Sequence, residues 1–268
     1  MIRRLAEVVL SRMGYTISRK APTDSSTASA GAGYDLESEA WESMQVVRSH
    51  TMVPYARLVT LYQQVVACER HDIAGSYVEC GTWKGGAVGL MALGNLRHSA
   101  QRRHIHLFDS FAGIPEPDEE VDGERAVQEV VSVGGEAKGR LVPIKGFYDK
   151  YADGVGDLET NRHLLETVIG YDSRFLHYHE GWFQDTLPRV APVLADIAIL
   201  RLDCDWYAST RICLEYLYNK VVTGGFVVID DYGYYDGCKR AADEFMTRER
   251  IRAYLNHIDA SGRYWIKP

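Results

Sequence analysis

The chain has 268 residues, 46% of them hydrophobic, enough to bury a full core in one large domain. Its formal net charge of −7 argues against a nucleic-acid partner, which needs a basic face to neutralise phosphates. Five cysteines (Cys68, Cys80, Cys204, Cys213, Cys238) show neither CxxC nor zinc-ligand spacing, and read as reduced, buried thiols of a cytoplasmic protein.

Residues Met1 to Arg12 begin basic and carry a short apolar stretch broken by Glu7 and Arg12. That fits neither a cleavable signal peptide nor a membrane span of ~20 apolar residues. It reads as a short amphipathic helix docking on the domain or a partner subunit, with a peripheral membrane anchor as the alternative. Ala21 to Gly33 is small and polar and buries too little surface to offset its ordering entropy, so a mobile linker is expected. The expected organisation is a helix and linker over 1–35 and one domain over 36–268.

From Tyr55 to Cys68, Leu58, Leu61, Val65 and Val66 recur at helical spacing. Ser76 to Cys80 predicts a strand, Gly81 to Gly86 a loop, Ala87 to Asn95 a helix, and His104 to Asp109 the next strand. Phe175 to His179, Ile197 to Leu202 and Phe226 to Ile229 predict further strands, with a helix over Cys213 to Tyr218. Arg263 to Lys267 predicts a last, antiparallel edge strand. Strands alternating with helices imply an α/β fold with a parallel sheet and right-handed crossovers. The stretch from Pro115 to Asp153 is rich in Gly, Glu and Asp, and its length suits a functional lid.

Two apolar runs end in acids: Asp203 follows Ile199 to Leu202, and the pair Asp230-Asp231 follows Gly225 to Ile229. Adjacent parallel strand ends open onto one crevice, where ligands bind. Like charges crowded there raise each other's pKa, and a bound cation relieves the repulsion. Mg²⁺, a hard cation that prefers oxygen ligands, suits Asp203, Asp230 and Asp231. Any single Asp at a strand end also serves as a cap or turn residue.

The loop Glu79-Cys80-Gly81-Thr82-Trp83-Lys84-Gly85-Gly86 follows the first strand and opens a helix, where glycines and free N–H groups can meet a ligand. It is neither GxGxxG nor a Walker loop, so a dinucleotide or nucleoside triphosphate is not the first choice. Asp109, 28 residues after Gly81, ends the second strand, where a carboxylate can accept both hydroxyls of a ribose or cap the following turn. In Glu180 to Pro188, Trp182 and Phe183 stand beside Gln184, which suits either an adenine sandwich or core packing.

Together these segments resemble the class I S-adenosylmethionine-dependent methyltransferases, and more narrowly the macrocin O-methyltransferase (TylF-like) family of metal-dependent sugar methylases. The resemblance is carried by Tyr77 to Gly86, Phe108 to Pro115, Gly181 to Pro188, Leu202 to Thr210 and Gly224 to Tyr232, in family order over about residues 50 to 250. It implies a Rossmann-like, mostly parallel seven-stranded sheet with helices on both faces. It also implies donor contacts from Glu79 and Gly81 at the methionine part and from Asp109 and Ser110 at the ribose. Gly181, Phe183 and Gln184 would stand at the adenine, with Asp203 counted among the donor positions as well as the metal ligands. Asp203, Asp230 and Asp231 would bind Mg²⁺, and Asp205 would be the general base, brought beside Asp203 by the alternation of side chains along a strand. Position 206 is Trp where relatives often carry another apolar residue, and Lys145 to Tyr148 matches no family pattern.

The implied reaction moves a methyl group to a hydroxyl of a sugar in a glycoside or oligosaccharide, such as a mannoside or deoxyhexose, in a dimer or larger homo-oligomer. The segment Trp41 to Arg57 and the lid are expected to close over donor and acceptor. His177 or His179 is the alternative base. The rival functions are a catechol-type O-methyltransferase, a non-catalytic binding subunit, and phosphoryl transfer, the last disfavoured by the missing P-loop.

Overall fold

The structure is a computed structural model and describes residues 35–149 and 154–268. The segment expected as helix and linker lies, but for residue 35, outside them. Residues Glu39–Pro268 form one compact unit, and of the preceding residues only the opening of the first helix is described.

Five strands lie side by side in parallel: β1 (Ser76–Cys80), β2 (Ile105–Asp109), β3 (Leu176–Glu180), β4 (Ile197–Leu202) and β5 (Val221–Ile229). β1 and β4 are buried at every position, as strands covered on both faces are. β6 (Asn256–His257) and β7 (Arg263–Ile266) complete a seven-stranded sheet of order β3-β2-β1-β4-β5-β7-β6. The strand order reverses between β1 and β4, which opens a crevice at their C-terminal ends. β7 is antiparallel as expected, but it is not the edge. The chain folds back through the Ile258 N–H bond to Gly262 O (3.0 Å), and β6 pairs outside β7. A strand of two residues has no periodicity to read.

The helices are α1 (Asp35–Val47), α2 (Tyr55–Arg70), α3 (Gly86–His98), α4 (Gly123–Val131), α5 (Leu158–Arg162), α6 (Phe183–Val190), α7 (Tyr207–Leu217) and α8 (Asp236–Arg248). α2 buries Leu58, Leu61, Val65 and Val66, the apolar positions that predicted it. α7 begins six residues before the expected start at Cys213. Its first N–H, on Tyr207, is accepted by the Asp122 carboxylate at 2.6 Å, a cap supplied from 85 residues away.

The long insertion after β2 is a packed wall over its described residues. It contains α4, and Ala126, Val130, Ile144 and Phe147 join the core cluster that includes Val78, Leu200 and Val227. The Trp206 indole N–H ties it to the end of β4 by donating to Pro115 O at 2.8 Å. Among the described residues, no helix is long and apolar enough to cross a membrane.

Candidate active site

A cavity of about 490 Å³ opens over the C-terminal ends of β1 to β4. Gly81, Trp83, Asp109, Ser110, Gly181, Trp182, Phe183, Gln184, Asp203, Asp205 and Trp206 line it from the sheet. Ile114, Leu141, Tyr148 and Val155 line it from the insertion. Parallel topology thus gathers seven of the eight residues expected at the donor; Glu79 is the exception. None of the described residues from 41 to 57 lines the cavity, so the expectation that this segment closes over it is not met here.

The turn after β1 is tightly built. Gly81 has φ +83°, and a Cβ there would overlap the carbonyl oxygen of Asp203, so only glycine fits. Asp109 is held by the same turn. Its Oδ2 accepts the N–H groups of Thr82 (2.6 Å) and Trp83 (3.2 Å), and its Oδ1 accepts that of Phe111 (2.7 Å). The turn-capping reading of Asp109 is therefore realised in full, while the side chain still lines the cavity. Burial pushes its carboxyl up, and the backbone donors pull it back. Ser110 Oγ donates to Gly113 O (2.7 Å), which closes the next bend.

Trp83 joins this turn to the insertion. Its indole N–H donates to Gly154 O (3.1 Å), its carbonyl accepts Asn161 Nδ2–H (2.6 Å), and its ring stacks on Tyr148 with centroids 6.2 Å apart. A Cβ on Gly156 would overlap the Trp83 backbone. The pairing of Trp83 with Tyr148 could not be read from the sequence, because the two stand 65 positions apart with no local signature.

Asp203, Asp230 and Asp231 each offer a carboxylate oxygen, all within 4.8 Å of one another. Asp205 follows at φ +59°, and the Trp206 N–H donates to Cys204 O at 2.6 Å across it. β4 ends at Leu202, so strand alternation does not place Asp205 beside Asp203; this γ-type turn does. Cys204 is buried, with its thiol 3.8 Å from the Thr210 hydroxyl.

Two arginines that sequence reasoning missed thread the acids. Arg201, 1% exposed, donates through Nη1 to Glu79 and to Asp203 Oδ2 (2.8 Å), and through Nη2 to Asp230 Oδ1 (2.5 Å). Arg57, on α2, donates through Nη1 to Asp230 Oδ2 and through Nε to Asp259 Oδ2 (2.8 Å). Arg201 had left a signal, since an Arg inside the apolar run Ile197 to Leu202 must find carboxylates once buried. This is why Glu79 is absent from the cavity wall: its carboxylate faces Arg201. Burial pushes the Glu79 carboxyl up to about 8, against the pull of Arg201.

Acid still outweighs base. Arg201 and Arg57 pair with Glu79, Asp203 and Asp230, Asp205 and Asp231 add two further carboxylates beside them, and Asp231 Oδ2 is buried without a hydrogen-bond partner. Burial, then the charge of Asp203, drives the Asp205 carboxyl well above its ordinary range. Burial and Asp205 do the same to Asp231. An all-oxygen donor set with an orphaned buried oxygen and excess negative charge fits a hard divalent cation.

The histidines lie elsewhere. His104, His106, His177 and His179 form a ladder across β2 and β3, with Nδ1 of His104 2.8 Å from Nε2 of His177 and Nδ1 of His106 3.1 Å from Nε2 of His179. Neither His177 nor His179 lines the cavity. His177 instead borders a second cleft beside residues that precede β1 and β4, such as Gly75 and Asp196.

The profile of the family described as Macrocin-O-methyltransferase (TylF) matches residues 12–136 and 166–267. The chain is 37% identical over 218 residues to demethyldecarbamoylnovobiocin O-methyltransferase of Streptomyces niveus, covering 81% of this chain and 75% of that one. It is 33% identical over 220 residues to the 8-demethyl-8-(2,3-dimethoxy-alpha-L-rhamnosyl)-tetracenomycin-C 4'-O-methyltransferase of Streptomyces olivaceus, with the same coverage. The solved structure of the O-methyltransferase NovP superposes with TM-score 0.67 at 28% identity, covering 87% of this chain and 97% of that one.

Proposed function

The chain belongs to the macrocin O-methyltransferase family and is an S-adenosylmethionine-dependent O-methyltransferase, and on that premise we propose that its acceptor is a hydroxyl on the sugar of a neutral glycoside. The observation that carries this reading is the composition of the crevice. Asp109, Glu116, Asp118, Asp122, Asp203 and Asp205 line it, with no Lys, Arg or His among the described lining residues. A nucleoside diphosphate sugar would bring two phosphates against those acids. A glycoside brings none, and its apolar aglycone suits Ile114, Leu141, Val155 and Trp206. The two named relatives act, by their names, on demethyldecarbamoylnovobiocin and on a rhamnosyl tetracenomycin.

In this reading Gly81, Asp109, Ser110, Gly181, Phe183, Gln184 and Asp203 hold the donor, and Glu79 acts behind them by holding Arg201. Asp203, Asp230 and Asp231 would hold Mg²⁺. The cation supplies Lewis acidity that makes the acceptor hydroxyl more acidic. Asp205 takes the hydroxyl proton as the C–O bond forms and the C–S bond of the sulfonium breaks, leaving S-adenosylhomocysteine. The leaving sulfur becomes neutral and needs no acid, and alignment of oxygen, methyl and sulfur does much of the rest. The division into a 1–35 extension and a 36–268 methyltransferase domain, a cytoplasmic location, and assembly as a homodimer or larger belong to the same proposal.

Calorimetry with S-adenosylmethionine and S-adenosylhomocysteine, with Mg²⁺ and then with chelator, tests the site. Micromolar binding of both is expected. Turnover is then compared on an aryl α-L-rhamnoside, dTDP-L-rhamnose and catechol, with methylation of the rhamnoside expected and abolished by chelator. Preference for the nucleotide sugar or the diol would overturn the acceptor assignment.

A further inference from the structure

Asp230 is held at both oxygens. It is 4% exposed at the end of β5; Arg201 takes Oδ1 and Arg57 takes Oδ2. Arg201 comes from the neighbouring strand and Arg57 from α2, before the sheet begins. Arg57 is in turn fixed from the far end of the chain. Its Nε donates to Asp259 Oδ2, while Asp259 Oδ1 accepts the N–H groups of Ser261 (2.9 Å) and Gly262 (2.7 Å). Ser261 Oγ donates to Asp230 O at 2.7 Å, so the β6–β7 turn grips the backbone of Asp230 as Arg57 grips its carboxylate. A Cβ on Gly262 would come 3.1 Å from Arg57 Cδ, so the glycine lets the arginine chain lie close against the turn.

We propose that Arg57 is a positioning residue for the metal site: it fixes the Asp230 carboxylate so that Asp203, Asp230 and Asp231 converge on one cation, and it makes that convergence depend on the β6–β7 turn through Asp259. The inference rests on the metal reading of the three acids. A guanidinium suits the task because its fork reaches two carboxylates at once, which a lysine ammonium on a flexible stem does with less direction. Groups that orient ligands without touching the metal shape affinity strongly.

The test is calorimetric titration of the full-length protein with Mn²⁺, in wild type, Arg57→Ala, Arg57→Lys and Asp259→Asn, with S-adenosylhomocysteine affinity measured on each. Arg57→Ala should weaken Mn²⁺ binding about tenfold or more, and Asp259→Asn by a smaller factor, while S-adenosylhomocysteine affinity stays within about twofold. Arg57→Lys should recover only part of the loss, although it keeps the charge. Unchanged or tighter Mn²⁺ binding in an Arg57→Ala protein that still binds S-adenosylhomocysteine would overturn the inference. If Arg57→Ala does not fold, Asp259→Asn decides: unchanged Mn²⁺ binding there also overturns it. Wild-type protein that binds S-adenosylhomocysteine but no Mn²⁺ overturns the metal reading together with the inference. Wild-type protein that binds neither ligand overturns the whole functional reading.

Discussion

Gly81 and Asp203 meet backbone to backbone: the carbonyl oxygen of Asp203 fills the space where a side chain on Gly81 would begin. The donor turn of β1 and the first acid of β4 are thus packed as one unit, joined also by the Asp203 N–H bond to Cys80 O at 2.9 Å. Gly81→Ala should therefore disturb both halves of the site. We expect S-adenosylhomocysteine affinity to fall at least about tenfold, with a fall in Tm, since the residue is both left-handed and in close approach. Calorimetry and thermal unfolding of the variant check this; near wild-type affinity would show that the turn can relax.

Asp203 and Asp205 should separate by function. Asp203→Ala is expected to lose methyl transfer and Mn²⁺ binding, while S-adenosylhomocysteine, still held by the six other donor residues, binds more weakly but measurably; full activity would sink the metal role. Asp205→Asn should lower kcat by about 10²–10⁴-fold, the usual range for a lost general base, with Mn²⁺ and donor affinities close to wild type. Steady-state kinetics beside metal titration distinguishes the two.

Asp122 links the insertion to α7 by capping Tyr207. Asp122→Ala should cost about 0.5–2 kcal/mol, the range for a lost N-cap, and lower Tm by a few degrees. Because the Asp122 carboxylate also accepts the Asp118 N–H at 2.7 Å, the cavity wall should loosen. The acceptor KM should then rise more than the donor affinity falls. Equal effects on both would place the insertion's role at the donor.

The histidine ladder predicts acid lability. Burial lowers His106 to about 3 and His179 to about 4, with neighbouring histidines adding to the effect. Protonation is thus disfavoured in the folded state relative to an ordinary pKa near 6.5. The stability these neutral rings carry is present above about pH 6.5 and is lost as pH falls through the window toward 4. There each contributes at most about 1.4 kcal/mol per pH unit. Tm should fall from pH 7 to pH 5, and His179→Phe should flatten that slope. A level Tm in wild type would count against the ladder.

Much of the frame was legible locally. The apolar runs of β4 and β5 announced strands of a parallel sheet, and the acids after them had to stand at its C-terminal edge because parallel strands end together. What the sequence by itself determined was therefore the α/β class, the family, and the residues gathered at the crevice mouth. Tertiary structure alone decided which side chain answers which charge. Arg57 reaches Asp230 across 173 positions, Asp122 caps a helix 85 positions later, and Asp205 stands beside Asp203 through a turn rather than a pleat. Periodicity reports only neighbours along the chain, whereas a buried charge takes whatever partner the packed fold brings within reach.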